Sequence, residues 1–337
     1  MPSTVGALFP STGVKEDLLD IISNVDAKNT PVSSSIAKVG ADLTNPGLYS
    51  YQADSYNSPD TSGVVDSSDV SDFDDPTKNR VLLSARSQKF RRTVRVGDFQ
   101  QLADTAGIGQ RKEMAKGTAK AIRELKYDIE ATICSDNDSV EGSGSVAYKT
   151  RGLGMWIGGS PTDLPIPASQ QTPAGSINNT ATASLTESAL QNVLQSIYEQ
   201  TGTTDRLVMV AGPALKKAIT NFTRFTVNST SNVFNLRQTT QNAESGKLVS
   251  HVSFYEGDFS TVEIVPSLLL NATASTDAAK HARGYIMNAD HLMLRYGRRP
   301  RFEELPNMGG GPRGLVDAIV SLAVLTPKSM AKFNATA

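Results

Sequence analysis

Residues 107–134, GIGQRKEMAKGTAKAIRELKYDIEATIC, are the stretch from which the rest of the chain can be ordered. Ile108, Ala115, Ile122, Leu125, Ile129 and Ile133 recur at helical spacing on one face, with Arg111, Lys112, Lys116, Arg123, Glu124 and Asp128 elsewhere. At ~1.5 Å per residue such a helix runs roughly 40 Å, long for a globular protein. The pattern predicts one nearly continuous helix, packed on its own chain through Ile122, Leu125, Ile129 and Ile133. Gly117 is its expected point of bending, since glycine costs about 1 kcal/mol in a helix interior relative to alanine. A Gly/Ser stretch ends the helix, GLGMWIGG follows at 152–159, and a Pro-rich connector spans 161–175.

Working towards the N-terminus, 46–98 is a long segment poor in apolar runs until Val81. From Tyr51 to Thr77 it carries seven acidic residues, Asp54, Asp60, Asp66, Asp69, Asp72, Asp74 and Asp75, and no Lys or Arg. From Lys78 to Val96 it carries seven basic residues, Arg91, Arg92 and Arg95 among them, and no acid. The second half alternates like a strand, with Lys89, Arg91, Thr93 and Arg95 on one face and Phe90, Arg92, Val94 and Val96 on the other. So long an excursion with little to bury is uncommon inside a domain. It is either disordered or packed on another chain. Ahead of it, 1–45 reads as an arm: an extended start, a short helix in KEDLLDIISNV, and a break at Thr30-Pro31.

Towards the C-terminus, 180–285 reads as a compact α/β unit. Ser184 and Glu187 form a capping box ahead of the helix ESALQNVLQSIYEQ, and Gly202 stops it. RLVMVA reads as a buried strand, Pro213 as the first-turn proline of GPALKKAITNF, and SFYEGDFSTVEIVP as a hairpin. The expected core is Leu190, Leu194, Ile197, Leu207, Met209, Leu215, Ile219 and Ile264. Strands GYIMN and HLMLRYG follow. The apolar run at 315–325 is ambiguous by period, and its Val, Ile and Leu content favours strand.

Composition excludes several classes. The net charge of -1 argues against a general nucleic-acid binder, which usually carries a basic excess, and 6% aromatic residues leave few stacking platforms. The start MPSTVGALFP lacks the basic and apolar regions of a signal peptide. VDAIVSLAVL at 316–325, interrupted by Asp317 and Ser321, is about half a membrane span. His251, His281 and His291 have no metal-ligand spacing, and the single Cys134 sits on the apolar side of the long helix. No cofactor, metal or catalytic group is expected. NMGGGPRG at 307–314 reads as a tight loop at a symmetry contact, since it lacks the lysine and threonine of a phosphate loop. Arg295, Arg298, Arg299 and Arg301, followed by Glu303 and Glu304, are either a solvated face or an inter-subunit salt-bridge ring.

The order of these parts resembles the major capsid proteins of the Hong Kong 97 fold. KEDLLDIISNVDAKNTPVSSSIAK resembles their N-terminal arm, 46–98 their extended loop, and 107–134 their spine helix. RLVMVAGPALKKAI resembles the axial domain, and GRRPRFEELPNMGGGPRG with the following strand the return to the periphery. The resemblance covers nearly the whole chain and implies an α+β fold divided into 1–45 (arm with a short helix), 46–98 (extended loop, one protruding β-hairpin), 99–179 (spine helix and peripheral domain), 180–285 (axial domain) and 286–337 (return strands of the peripheral domain and C-terminus). It implies a structural, non-enzymatic subunit of a tailed-phage head. That subunit assembles with itself as hexamers and pentamers in the bacterial cytoplasm, and it encloses double-stranded DNA without reading its sequence. A separate scaffolding protein, a portal and a cement protein are the expected further partners; no membrane is. The lysine–asparagine cross-link of some family members finds no matching trio here. Asp66, Asp69, Asp72, Asp74 and Asp75 on the acidic half of the loop, and Arg91, Arg92 and Arg95 on its basic half, are expected inter-subunit contacts. Arg298, Arg299, Arg301, Glu303 and Glu304 are the expected contacts beyond it. The alternatives are an encapsulin-like cellular compartment, which genome neighbours would reveal, and a hydrolase, which would need a pocket of perturbed titratable groups.

Overall fold

A computed structural model describes residues 30–40, 47–70, 73–104, 108–202, 206–222, 252–270 and 281–334. The expected helix KEDLLDIISNV lies outside the described residues. In chain order the helices are α1 (Pro31–Ser35), α2 (Asp98–Leu102), α3 (Glu113–Ile133), α4 (Leu153–Trp156), α5 (Glu187–Thr201) and α6 (Pro213–Asn221). The strands are β1 (Ala37–Gly40), β2 (Leu48–Ala53), β3 (Val81–Arg86), β4 (Gln88–Arg95), β5 (Ile177–Asn178) and β6 (Arg206–Ala211). They continue with β7 (Phe254–Glu256), β8 (Thr261–Pro266), β9 (Arg283–Met287), β10 (Leu292–Leu305), β11 (Arg313–Val324) and β12 (Ala331–Asn334). The described strands form a sheet ordered β1-β10-β11-β4, a sheet ordered β5-β12-β9-β6-β8-β7, and the pair β2-β3.

The long helix α3 is a single element, but it begins six residues later than its sequence pattern suggests. Gly109 and Arg111 have φ of 80° and 63°, a left-handed conformation that a right-handed helix does not contain. Ile108 therefore falls outside it. Within it Ala121, Leu125, Ile129 and Ile133 are buried, and Ile122 is half-buried against the same core. This face packs on β4 and β11, where Phe90, Val316, Ala318 and Val320 meet it. Each such aliphatic side chain contributes ~1.5–3 kcal/mol on full burial. Gly117 is a point of close approach: a β-carbon there would stand 2.8 Å from Val94 Cγ1.

The 46–98 segment divides differently from one simple hairpin. β2 pairs with β3 in register Leu48 with Arg86 through Ala53 with Val81. The basic strand β4 instead pairs antiparallel with β11, Arg313 opposite Arg95 and Val320 opposite Gln88. Its alternation is as the sequence suggests: Phe90 is buried, Arg92 and Val94 are half-buried, and Lys89, Arg91, Thr93 and Arg95 are exposed. Arg92 reaches α3, where its Nε and Nη2 each donate to Asp128 at 2.6 Å.

In the six-stranded sheet, all eight residues expected in the 180–285 core lie in one buried cluster. The cap of α5 is Thr186, whose hydroxyl accepts from Ala189 N at 3.3 Å; Ser184 instead closes a 3-10 turn before it. Gly202 ends α5 with φ 65°, and Pro213 opens α6. The short β12 enters this sheet from the end of the chain, pairing with β9 and β5, and Ala331 and Phe333 join its core. The unit thus draws on residues beyond 285. At the seam with α3, Asp136 holds Arg283 through two hydrogen bonds, one of 2.9 Å, and Tyr285 Oη donates to Cys134 O at 3.1 Å. Lys332 Nζ donates to Gly154 O at 2.7 Å.

α1 is tied to α3 by a buried carboxylate. Glu130, fully buried, accepts from Val32 N and Ser33 N, each at 2.8 Å, at the first turn of α1. Burial raises its pKa against the opposing pull of the Ser33 and Val32 amides. Removing it leaves these amides without their acceptor, which costs about 1–3 kcal/mol where the group is buried. Glu130→Ala is therefore expected to lower the denaturant midpoint and speed exchange of the Val32 and Ser33 amides; unchanged exchange would contradict the latch. Gly117→Ala is expected to lose stability despite alanine's better helix propensity, because overpacking costs ~1–3 kcal/mol. Val94→Ala in the same chain should recover part of that loss, measured as the coupling in a double-mutant cycle.

Candidate assembly surfaces

The β2-β3 hairpin has a fixed foot and an uncovered tip. At the foot Tyr49, Leu83 and Ala85 are buried, Tyr51 Oη donates to Val324 O at 2.6 Å, and the Arg295 guanidinium lies 4.5 Å over the Tyr49 ring. Arg86 donates to both oxygens of Asp163, at 2.7 and 3.1 Å, and to Glu141 at 3.0 Å. Beneath it Arg151, 1% exposed, holds Asp138 at 2.9 Å and Leu164 O at 2.8 Å, stacked 4.7 Å over Trp156.

Past Ala53 almost every described residue up to Arg80 is exposed. Asp66, Asp69 and Asp74 point to solvent; Asp72 lies outside the described residues. Asp75 accepts from Thr77 N at 2.8 Å and Thr77 Oγ1 at 2.7 Å, and the Thr77 hydroxyl and then its amide hold its pKa below the usual range. Tyr56, Val64, Val65, Val70 and Phe73 are also bare, Val64 at 90% and Phe73 at 87% exposure. Arg80–Asp54, 3.5 Å apart and exposed, joins the acidic and basic halves across the hairpin. Such a pair contributes little.

Of the arginines expected to meet the tip, Arg298 and Arg301 gather at Asp317 on the side of the four-stranded sheet away from α3, while Arg299 falls in the irregularity of β10 between them and has no register partner. Strand register sets Arg91 beside Asp317 and Arg301 beside Asp317 from the other side. Asp317, 2% exposed, receives Arg298 Nη1 at 2.8 Å, with Lys89 and Arg301 each at 3.6 Å. Burial alone would raise its pKa, but the Arg298 hydrogen bond and the charges of Arg298, Lys89 and Arg301 outweigh that and lower it. Arg298 and Arg301 are thus partly engaged within their own chain. Arg299 and Arg91 are exposed and make no salt bridge to a described residue, while Arg92 is turned inward to Asp128. Arg301 also meets Glu303 at 3.1 Å, and Glu304 is exposed. Arg95 Nε donates to Gly310 O at 3.3 Å in the 307–314 loop. That loop spends its amides on itself: Asn307 Oδ1 accepts from Gly309 N at 2.9 Å and Gly310 N at 3.2 Å. Gly311, at φ 94°, is required because a β-carbon would fall 2.1 Å from Val96 O.

Cys134 is fully buried, and burial first, then Glu130, pushes its thiol pKa well up. His291 Nδ1 lies 2.9 Å from Ser329 Oγ; His251 lies outside the described residues. Among the described residues no group of three or more His, Cys, Asp and Glu could hold a metal ion. No described helix is long and apolar enough to cross a membrane. Glu130, Asp136, Asp138, Asp163, Arg86 and Arg151 were missed in the sequence reading. A charge inside an apolar stripe, as at Glu130 and Asp317, is the signal that could have marked the first of them.

A helix laid across a sheet, a projecting hairpin and a second α/β unit are the parts the resemblance implies. The family model described as SU10 major capsid protein matches residues 4–337. The chain belongs to this family. No curated protein matches it. Among solved structures it is similar to the capsid of a native GTA particle, at 11% identity and TM-score 0.63, covering 100% of both chains. It is similar to the cyanophage Pam1 capsid, at 11% identity and TM-score 0.60, again covering 100% of both chains. It is also similar to the structure from Gordonia phage Cozz, at 14% identity and TM-score 0.58, covering 100% of this chain and 98% of that one. At these identities the likeness shows the fold, which is Hong Kong 97-like. Family and fold together make the chain a structural major capsid protein of a tailed phage, a subunit that self-assembles into a shell and resides in the virion.

The Asp317 cluster gives this capsid subunit a defined acid sensitivity. Its lowered pKa means the contribution is fully present above about pH 3.9 and is lost as pH falls through the lower folded value. Asp317→Asn is expected to be less stable at pH 7 and to show a shallower fall in urea midpoint below pH 4. Parallel profiles for variant and native chain would refute it.

Proposed function

We propose that the subunit closes an icosahedral shell around double-stranded DNA by seating its acidic hairpin tip on the basic sheet face of a neighbour. The observation that carries this reading is the tip itself. It exposes Tyr56, Val64, Val65, Val70 and Phe73 beside Asp66, Asp69 and Asp74, and its own subunit covers none of these apolar side chains. Exposed apolar groups in such number call for a partner. The complementary charges lie on the four-stranded sheet, at Arg91, Arg95, Arg298, Arg299 and Arg301. Glu303 and Glu304 at its end would limit the register of the contact. A closed shell repeats one such heterologous contact around every symmetry axis, with 180–285 surrounding the fivefold and sixfold axes as pentamers and hexamers. In this reading the subunit works without catalysis of its own. Assembly takes place in the host cytoplasm with a separate scaffolding protein, a portal and a cement protein.

Reversing Asp72, Asp74 and Asp75 to lysine is expected to abolish shells in negative-stain micrographs while circular dichroism shows a folded subunit. Adding Arg91→Glu and Arg299→Glu to that chain is expected to restore assembly in part. Normal shells from the triple variant would overturn the clasp.

A further inference from the structure

Between Arg283 and Asn334 the chain leaves the six-stranded sheet and comes back to it. β9 lies in that sheet, β10 and β11 in the four-stranded one, and β12 returns to take the place between β5 and β9. On one side Ala331 stands opposite Ile286 and Phe333 opposite Gly284; on the other Lys332 stands opposite Ile177 and Phe333 opposite Asn178. β5 has two residues, and β12 is its one partner among the described strands. The strand that completes the second unit therefore also holds the point at which the chain enters it.

What brings β12 to that place is the other sheet. The β10-β11 ladder begins with Leu292 opposite Val324, and beside it Leu325 N donates to His291 O at 2.8 Å. The connector that follows is fixed rather than loose: Pro327, Ser329 and Met330 are buried, and Thr172 Oγ1 donates to Pro327 O at 3.0 Å. A strand of four residues has little local drive to form, and closing the loop from β9 to β12 costs entropy. Pairing β10 with β11 removes most of that cost beforehand. The register is also fixed. Ala331 and Phe333 fill the core of the second unit, while Lys332 between them faces the other way, donating to Gly154 O at 2.7 Å and lying 3.9 Å from Asp136. A slip of one residue would drive the ammonium into that core.

We infer that β12 is an interlock between the two units: it docks only after β10 and β11 have paired, and its docking completes the six-stranded sheet. A subunit whose four-stranded sheet is unfinished is thereby kept from presenting a finished second unit. Until β12 arrives, β9 is an open edge beside an apolar core, a template for pairing with the wrong chain. The use of the device rests on the capsid reading above, since a shell of identical copies repeats the fault of any half-folded one. The coupling itself does not rest on that reading.

The test is native-state hydrogen exchange of the unassembled full chain in a urea series. Val316 is fully buried in the core under α3, between Arg92 and Phe302 in the four-stranded sheet, and belongs to neither β12 nor its sheet. Val316→Ala is expected to lower protection of the β9 and β12 amides about tenfold, as much as it lowers that of β11. Ile219→Ala, in α6, is expected to loosen α6 and β6 and to leave β11 as it was. Unchanged protection at β9 and β12 in the Val316 variant overturns the interlock. An equal loss at β11 in the Ile219 variant also overturns it, because the two units would then open as one body with no order between them. A chain ending at Ser329 is expected to be cut by trypsin within 180–285, to keep α3 intact and to form no shells in micrographs. Normal shells from that chain, or cleavage through α3, count against it. The exchange measurements need no shell, so a failure of the interlock is separable from a failure of the capsid reading.

Discussion

The packing of α3 against β4 and β11 is the contact on which the other parts depend. It places a rigid rod on one side of the sheet and leaves the other side for charge. Gly117 lets rod and sheet approach closely, since any β-carbon would press on Val94. From this layer α1 is hung by Glu130, the hairpin foot by Tyr51 and Arg86, and the second unit by Asp136 with Arg283. A subunit that must project a hairpin needs its foot immobile, because any swing there is amplified at the tip.

Buried charge does much of this positioning. Burying an ion pair is weak as a source of stability, because desolvation offsets most of the attraction, while removing one partner is costly. That asymmetry suits anchoring. Arg151, stacked on Trp156 and bonded to Asp138 and to the carbonyls of Asp163 and Leu164, permits one arrangement of the 138–164 segment and penalises others. Asp317 works alike, drawing cations from β4 and β10 together across β11. Arg298 and Arg301 therefore reach the outer face already oriented, with donors left over for another chain.

Legibility in the sequence followed the length of each periodic signal. Twenty-one residues of α3 and fifteen of α5 repeat their apolar spacing often enough to be read, and the core of 180–285 was readable for the same reason. The start of α3 was not, because Arg111 at positive φ leaves no mark in the pattern. AKFN at β12 has four residues, too few to show a period, so its crossing into the second sheet was invisible. The 46–98 segment was misdivided because both β3 and β4 alternate. Only long-range register reveals that Ser87 separates a hairpin strand from a strand of the four-stranded sheet. Of the expected contact residues, Arg92 read as a surface charge by composition, yet the same alternation that put it beside Phe90 and Val94 pointed it inward.

Net charge was the least informative number in the chain. A value near zero suggests a surface indifferent to charged partners, yet it arises here from an acidic hairpin tip set against a basic excess over the rest of the chain. At ~8 Å screening in physiological salt, charges on opposite sides of a subunit do not cancel for anything that touches only one of them. What a partner feels is the local face. In the proposed clasp, an acidic tip and a basic sheet face on one subunit would let identical copies attract one another although each is nearly neutral.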